Sequence, residues 1–409
     1  MTRRRIIFSI FTSTFRYSVP MFNASPLAHY FSPDHEQFRD MLRDFITREI
    51  IPNINAWDEA GTFPRDLYRK AGTLGLLGLG YPEEYGGTPV DTFYQIILAE
   101  EFARSGSGGI QASINSHTIA MPPLLAAGSE EIKRRILPSV ISGEKVAALA
   151  VTEPSGGSDV AALRTTAVRD GDHYVVNGEK TFITSGMRAD YITTAVRTNP
   201  TVKGAGGISL LLIEGDTAGL GRTELKKMGW WVSDTAHLHF DNCRVPAKNL
   251  IGVENQGFKT LMHNFNSERL FLAALAYGFA QVCLEEALEW AQQRITFGEP
   301  LSQRQVIRHK LADMMLSIDA ARCLVYDLAY RIDHGVGDPA QLVARICMAK
   351  VQATRAMQFC ADEAVQILGG MGFMRGTRCE RIYREVKVMM IGGGSEEIMK
   401  DLAVRKLGF

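Results

Sequence analysis

A multidomain α+β protein, with an α-helical domain, a compact β domain and a helical bundle in that order, is the fold class this sequence predicts. Three observations predict it. Apolar residues recur at helical spacing through the N-terminal part of the chain. Near Val146 the pattern changes to short alternating runs bounded by turn residues. After Gly257 the helical period returns and persists. The boundaries fall at 1–29 for an N-terminal extension, 30–147 for the α domain, 148–257 for the β domain and 258–409 for the bundle.

Length and composition agree with this division. A chain of 409 residues is long enough for two or three domains, and 46% apolar residues supply sizeable cores. Its 45 basic and 45 acidic residues cancel, which argues against nucleic acid or a membrane surface as partner. The six cysteines include no Cys-x-x-Cys pair, so neither a zinc site nor a disulfide framework is expected and a reducing compartment fits. At the N-terminus, Arg3, Arg4, Arg5 and Arg16 sit among Ser and Thr, and the first acidic residue is Asp34. Two expectations follow: a mitochondrial transit peptide and a matrix location, or a cytoplasmic bacterial protein whose true start is Met21.

In the first domain, Phe38, Met41, Leu42, Phe45 and Ile46 predict an amphipathic helix over 34–50, closed by Pro52. Further helices are expected at about 66–77, 92–104 and 115–127, and Ser129 caps one running toward Leu137. The stretches 76–82 and 84–87 read as Gly-rich loops. In the second domain, Asp170-Gly171 and Asn177-Gly178 are hairpin signals flanking His173–Val176. Tyr191–Arg197 and Ile208–Ile213 continue the strand pattern, and His237–Phe240 alternates before Asp241-Asn242, which reads as a turn. His237 and His239 share a strand face, but the sequence shows no third ligand, so they read as structural and no metal is expected. In the third domain, helices are expected near 258–294, 303–334 and 339–368, with a shorter one near 396–406.

Phosphate-loop, serine-hydrolase and zinc-protease signatures are absent; the one Gly-x-Gly-x-x-Ala match, Gly335–Ala340, contains Pro339 and reads as a turn between helices. Two stretches suit a ligand. Val151–Asp159 is a strand end followed by a Gly-rich polar turn that can offer several hydrogen bonds. Lys180–Gly186 alternates, placing Phe182 and Thr184 on one face, a flat ring beside a hydroxyl. One carboxylate also stands out. Glu268 opens an apolar helical run through Phe271, Leu272, Leu275, Tyr277, Phe279 and Val282, and its neighbour Arg269 lies about 100° round the helix, awkward for a direct pair. Such a carboxylate is either paired elsewhere or poised as a base.

Taken together, Tyr81–Gly87, Val151–Asp159, Glu179–Gly186, Lys227-Met228-Gly229, Val245-Pro246, Arg294–Gly298 and Gln366–Gly370 resemble, in order, the motifs of the acyl-CoA dehydrogenase flavoproteins. The resemblance runs from about residue 30 to the C-terminus. It implies an N-terminal helical domain, a middle β-barrel and a C-terminal four-helix bundle, with FAD held non-covalently. Carried over residue by residue, Val151, Thr152, Gly157 and Ser158 match loop positions that contact flavin or acyl-CoA. Phe182 and Thr184 match the aromatic and hydroxyl beside the flavin ring. Arg294, Phe297, Gln366 and Gly370 match positions gripping the adenine dinucleotide across a subunit interface, which implies a homotetramer built as a dimer of dimers. Ser158, Arg269, Gly392 and Gly393 fall on the substrate side.

The implied reaction removes an α-proton and a β-hydride from an acyl-CoA, giving a trans-2-enoyl-CoA, with flavin N5 as hydride acceptor and an electron-transferring flavoprotein as partner. Relatives of the medium-chain type carry the base in a Tyr-Glu-Gly-Thr segment, and here the carboxylate position is Gly392 within Ile391–Glu396. The isovaleryl-CoA and long-chain dehydrogenases instead place it at a Glu-Arg-Leu segment, which Glu268-Arg269-Leu270 matches, so the resemblance assigns Glu268 as base. Glu396 and Glu397 are read as favouring the start of a helix capped by Ser395. Gly392 leaves room for a medium, long or branched acyl group, and the Gly-rich segment with Trp230-Trp231 resembles dehydrogenases of branched terpenoid acyl-CoA such as citronellyl-CoA. The alternatives are a flavin monooxygenase or acyl-CoA oxidase on the same fold, or a non-catalytic helical scaffold.

Overall fold

The computed structural model describes residues 27–409, with backbone alone at 28, 263 and 264. The N-terminal arginines and Met21 lie outside the described residues.

The first helix, Pro33–Phe45, starts where predicted because Ser32 Oγ accepts from the amide of His35 while the Ser32 amide donates to His35 Nδ1, a reciprocal cap. Its predicted end is a single wide turn, Ile46–Ile50. Asp66–Thr73 and Thr92–Ala103 match expectation; Ile54–Ala60 was not foreseen. The helix expected at 115–127 is instead two short pieces, His117–Ala120 and Pro122–Ala127, preceded by Gly108–Ile114. Pro122 and Pro123 explain the break, since proline lacks the amide that would continue a helix but suits its first turn. Ser129 caps Glu130–Ile141 as predicted, accepting from the Ile132 amide.

The middle of the chain forms one eight-stranded sheet in which hydrogen bonds run in the order β6-β7-β3-β2-β4-β5-β8, with β1 beside β4. The strands are β1 Ala147–Ala150, β2 Thr166–Asp170, β3 His173–Thr184, β4 Tyr191–Arg197, β5 Ile208–Glu214, β6 Leu220–Glu224, β7 Thr235–Pro246 and β8 Leu250–Ile251. Asp170-Gly171 makes the expected hairpin between β2 and β3. Two other turn readings are corrected. Asn177-Gly178 and Asp241-Asn242 lie inside β3 and β7, where the register shifts between Val176 and Gly178. Gly178 (φ 141°) and Asn242 (φ 50°) adopt the backbone shapes a bulge needs, and the Asn242 amide donates to Asn177 Oδ1 across it.

Four helices pack as the C-terminal bundle: Gly257–Gln293, Gln305–Asp333, Pro339–Leu368 and Arg378–Ile391, with Glu396–Leu407 against the third. All four expected helices lie within two residues of where they were predicted, and Asp338 caps the third after the turn that Gly335–Ala340 suggested. Arg378–Ile391 was not foreseen. The bundle core runs through Ala273, Leu275, Phe279, Met314, Ile318, Met357 and Ile382, each fully buried large side chain contributing about 1.5–3 kcal/mol. Gly257–Gln293 is long and apolar enough to cross a membrane, but 72% of its apolar window is buried in the protein. It meets Thr92–Ala103 closely at Gly278, where a Cβ would stand 2.8 Å from that of Ala103.

Two buried carboxylates tie the domains together. Glu100 accepts from Arg39, Tyr277 and Tyr326, joining N-terminal helices to bundle. Burial opposes its charge, yet Arg39, Arg322 and these hydrogen bonds outweigh burial and hold it below its usual range. Glu385 accepts from the amides of Gly108 and Trp230, so one side chain of the bundle grips both other domains.

Candidate active site

Glu268 sits in the fourth turn of Gly257–Gln293, the longest helix described. One turn earlier, Phe265 packs in the cluster that holds Val151, so this part of the helix stands against the foot of the 151–159 loop. The side chain is partly buried. Its Oε2 is sealed from solvent with no hydrogen-bond partner among the described residues. Burial lifts its pKa to about 7, against the pull of Arg269 and Lys350. Arg269 does not pair with it. Nε of Arg269 donates to the Gly393 carbonyl at 3.1 Å and Nη1 to Asn266 Oδ1, as the 100° offset suggested.

The segment Ile391–Glu396 comes to the same place from the other end of the bundle. Gly392 ends Arg378–Ile391, its backbone amide donating a hydrogen bond to the Val388 carbonyl, and Gly393 (φ 67°) and Gly394 (φ 110°) then turn the chain. A Cβ on Gly393 would stand 2.7 Å from Leu272 Cδ1 and 3.9 Å from Glu268 Oε1, so the missing side chain is what lets the loop approach the carboxylate. Lys350, which sequence reasoning missed, fixes the loop: fully buried, it donates to the carbonyls of Met390 and Gly394 at 3.1 and 2.7 Å. Its one sequence signal was a charge inside the apolar run Met348-Ala349-Lys350-Val351.

Other carboxylates are disqualified by their bonds. Glu385 is pushed up to about 8 by burial, but both its oxygens are occupied by backbone amides. Glu396 is held at about 2 by Arg355 and Lys400, and Ser395 caps its helix as expected. A carboxylate with a raised pKa and an uncommitted oxygen is what a general base requires.

The sheet presents the second half of the site. Glu153 anchors the 151–159 loop, accepting from the amides of Arg164 and Thr165 and from Lys180 Nζ; burial works against its charge, but Lys180 and these bonds prevail and keep it ionised. Lys180 also donates to the Val151 carbonyl, and the Thr181 amide to that of Thr152, so the loop lies directly beside Phe182. Beyond Thr152 the loop is open: a Cβ on Gly156 would meet nothing within 4 Å, and one on Gly157 only Thr152 Cγ2 at 3.6 Å. Ser158 is exposed. Phe182 stands 70% exposed at φ 61°, unusual for an aromatic residue, within the second register shift of β3, between Lys180 and Ile183, and Thr184 beyond it pairs with Thr235 of β7. An aromatic ring held out in a strained backbone beside an open Gly-rich turn fits a planar cofactor carrying phosphates.

Arg294, Phe297, Gln366 and Gly370 are exposed, and Phe297 is wholly so, at φ 51° on the small hairpin of β9 Ile295–Thr296 and β10 Glu299–Pro300. The structure does not bring them to Glu268. From Glu268 the helix runs roughly 37 Å to Gln293, and from Lys350 roughly 24 Å to Gln366.

Two clefts, neither lined by Glu268, lie between the N-terminal helices and the sheet. Several of their charged groups are committed to ion pairs, as in Arg65–Asp190 and Arg188–Asp234. Beside His237 and His239 the sheet also places a carboxylate that the sequence did not show there, Glu179, across the β3–β7 pair.

Comparison with known proteins places the chain. Models of the N-terminal, middle and C-terminal domains of acyl-CoA dehydrogenase match residues 32–144, 148–243 and 255–408. The long-chain specific acyl-CoA dehydrogenase of Sus scrofa mitochondria is 37% identical, over 92% of this chain and 87% of its own. An acyl-CoA dehydrogenase structure from Geobacillus kaustophilus, 37% identical, superposes with a TM-score of 0.89 over 93% of this chain and 99% of that one. A glutaryl-CoA dehydrogenase from Mycobacterium smegmatis in complex with FADH2, 26% identical, does so at 0.87 over 94% and 96%. With all three domains matched in order and the predicted three-part fold present, the chain belongs to the acyl-CoA dehydrogenase family, FAD-using oxidoreductases that act on CH–CH groups.

Proposed function

We propose that this protein oxidises an acyl-CoA thioester to its trans-2-enoyl-CoA, with Glu268 as the base that removes the α-proton. The observation that carries the reading is Glu268 itself: raised to about 7, with one oxygen unpartnered, against a loop whose glycines leave the space beside it open. The α-proton of a thioester is weakly acidic, so the base must be desolvated and held at the carbon it serves. Arg269 and Lys350 hold the loop by its carbonyls rather than by Glu268, which leaves the carboxylate free to accept a proton at Oε2.

Val151, Thr152, Gly157, Ser158, Phe182 and Thr184 would hold the flavin end of FAD. When bound, the flavin supplies the acceptor for the hydride that leaves the β-carbon. Arg294, Phe297, Gln366 and Gly370 lie too far along the bundle to reach the same cofactor, so in this reading they serve the FAD of a second copy, within a dimer of dimers. The reduced protein then passes electrons to an electron-transferring flavoprotein. Gly392, with only the Val388 carbonyl near its Cβ position at 3.0 Å, leaves the acyl side open to a medium, long or branched chain.

The test is an anaerobic incubation of the yellow holoprotein with a panel of straight and branched acyl-CoAs. Flavin bleaching with an enoyl-CoA product supports the reading. Rapid oxygen consumption on re-aeration, or a hydroxylated product, would point instead to an oxidase or monooxygenase.

A further inference from the structure

Outside the site just described, the sheet carries a second constellation of metal-ligating side chains. His237 and His239, two apart on β7, turn to the same face, and Glu179 on β3 is the backbone partner of His239. Glu179 Oε2 lies 3.4 Å from His237 Nε2 and Glu179 Oε1 3.9 Å from His239 Nδ1, and the imidazole centroids are 4.3 Å apart. His237 Nε2 is sealed from solvent and has no hydrogen-bond partner among the described residues, although a carboxylate oxygen stands beside it. The two groups thus face each other without the angle a hydrogen bond needs.

We propose that Glu179, His237 and His239 form a binding site for a divalent transition cation of the Zn2+ or Cu2+ class. In a tetrahedral Zn2+ site with bonds of about 2.1 Å, ligand atoms stand about 3.4 Å apart. One pair already has that spacing, and the three ligand atoms lie within 4.8 Å of one another, so closing the set needs side-chain movement only. Two imidazoles and one carboxylate select borderline cations over Mg2+ or Ca2+, which prefer all-oxygen sites. Access is open, with the side chains of Glu179 and His239 about half exposed. Beyond His239 the neighbouring residue on β6 is Gly221, so no side chain occupies that flank and a water can take the remaining position. The site shares the sheet face of Thr184: Thr235, the partner of Thr184, is about 7 Å along β7 from His237. The proposal is independent of the reaction assigned above.

The experiment is isothermal titration of chelator-treated holoprotein with Zn2+ near neutral pH, paired with electron paramagnetic resonance of the protein loaded with one equivalent of Cu2+. The expected result is one ion per chain at micromolar affinity, with nitrogen coupling from two imidazoles. His239→Ala, a half-exposed position, should weaken Zn2+ by at least about tenfold, since even groups that only orient a ligand are worth that much. It should also remove one nitrogen from the Cu2+ spectrum, and Glu179→Gln should weaken Zn2+ with both nitrogens kept. Unchanged flavin absorbance and melting temperature in each variant would show that the fold is intact. Sub-stoichiometric binding, or equal affinity in wild type and His239→Ala, overturns the proposal.

Discussion

Glu268 Oε1 lies 3.9 Å from where a Cβ of Gly393 would stand, so a carboxylate on one bundle helix and a glycine turn at the end of another share one space. The resemblance to the acyl-CoA dehydrogenases implies that a base can stand either on that helix or in that turn. Here Gly392, Gly393 and Gly394 leave the turn without a carboxylate beside Glu268, and the function proposed above makes Glu268, on the helix, the base.

The pH dependence of turnover should report this carboxylate. Because burial raises Glu268 to about 7, kcat/KM should climb with pH and level off above an apparent pKa near 7. Initial rates across the pH range, with a substrate that does not titrate there, check this; a profile already flat at pH 5 would contradict it.

Stability should show the same group with the opposite sign. A carboxyl whose native pKa exceeds its unfolded value of 4.5 binds its proton more tightly when folded, so the wild type loses stability as pH rises from about 4.5 to 7. Glu268→Gln removes that cost. Denaturant unfolding of the two proteins should nearly coincide at pH 4.5 and separate by up to about 3 kcal/mol in favour of the variant above pH 7.

The proposed function makes Lys350 a positioning residue. Its charge, with that of Arg269, lowers the Glu268 pKa that burial raises, and it holds the carbonyls of Met390 and Gly394. Lys350→Met should therefore move the kinetic inflection upward, by up to about one unit, as well as reduce kcat. A fall in kcat with the inflection unmoved would leave Lys350 a purely structural role.

Gly392 has φ −65° and ψ 152°, a backbone any residue adopts, and its Cβ position is close only to the Val388 carbonyl at 3.0 Å. Adding Gly392→Glu to a Glu268→Gly background should recover part of the lost dehydrogenation and favour straight acyl chains. Rates no higher than in Glu268→Gly alone would show that the two positions do not exchange roles in this protein.

The order of helix, sheet and bundle was legible because hydrophobic period survives wherever one face of an element is buried. Ser129 and Ser395 were legible as caps because the cap is local. What escaped the sequence was of two kinds. Arg378–Ile391 buries Glu380, Arg381 and Glu385, so charge on its inner face hides the apolar stripe by which a helix is recognised. Asn177-Gly178 looked like a hairpin because a turn and a bulge call on the same permissive residues, and only strand pairing distinguishes them. In the site, Glu268 could be singled out from its helix and Gly392 from the motif. Lys350 there, and Glu179 on the sheet outside it, could not, because their partners lie far along the chain and meet them only in the fold.

The most direct test of the account is rapid-mixing reduction of the flavin in Glu268→Gln by an acyl-CoA that bleaches the wild-type enzyme. The account predicts a yellow variant with wild-type flavin content whose bleaching is slowed roughly 10^2- to 10^4-fold, the usual contribution of a positioned base. Bleaching at the wild-type rate would contradict it and remove Glu268 from the chemistry.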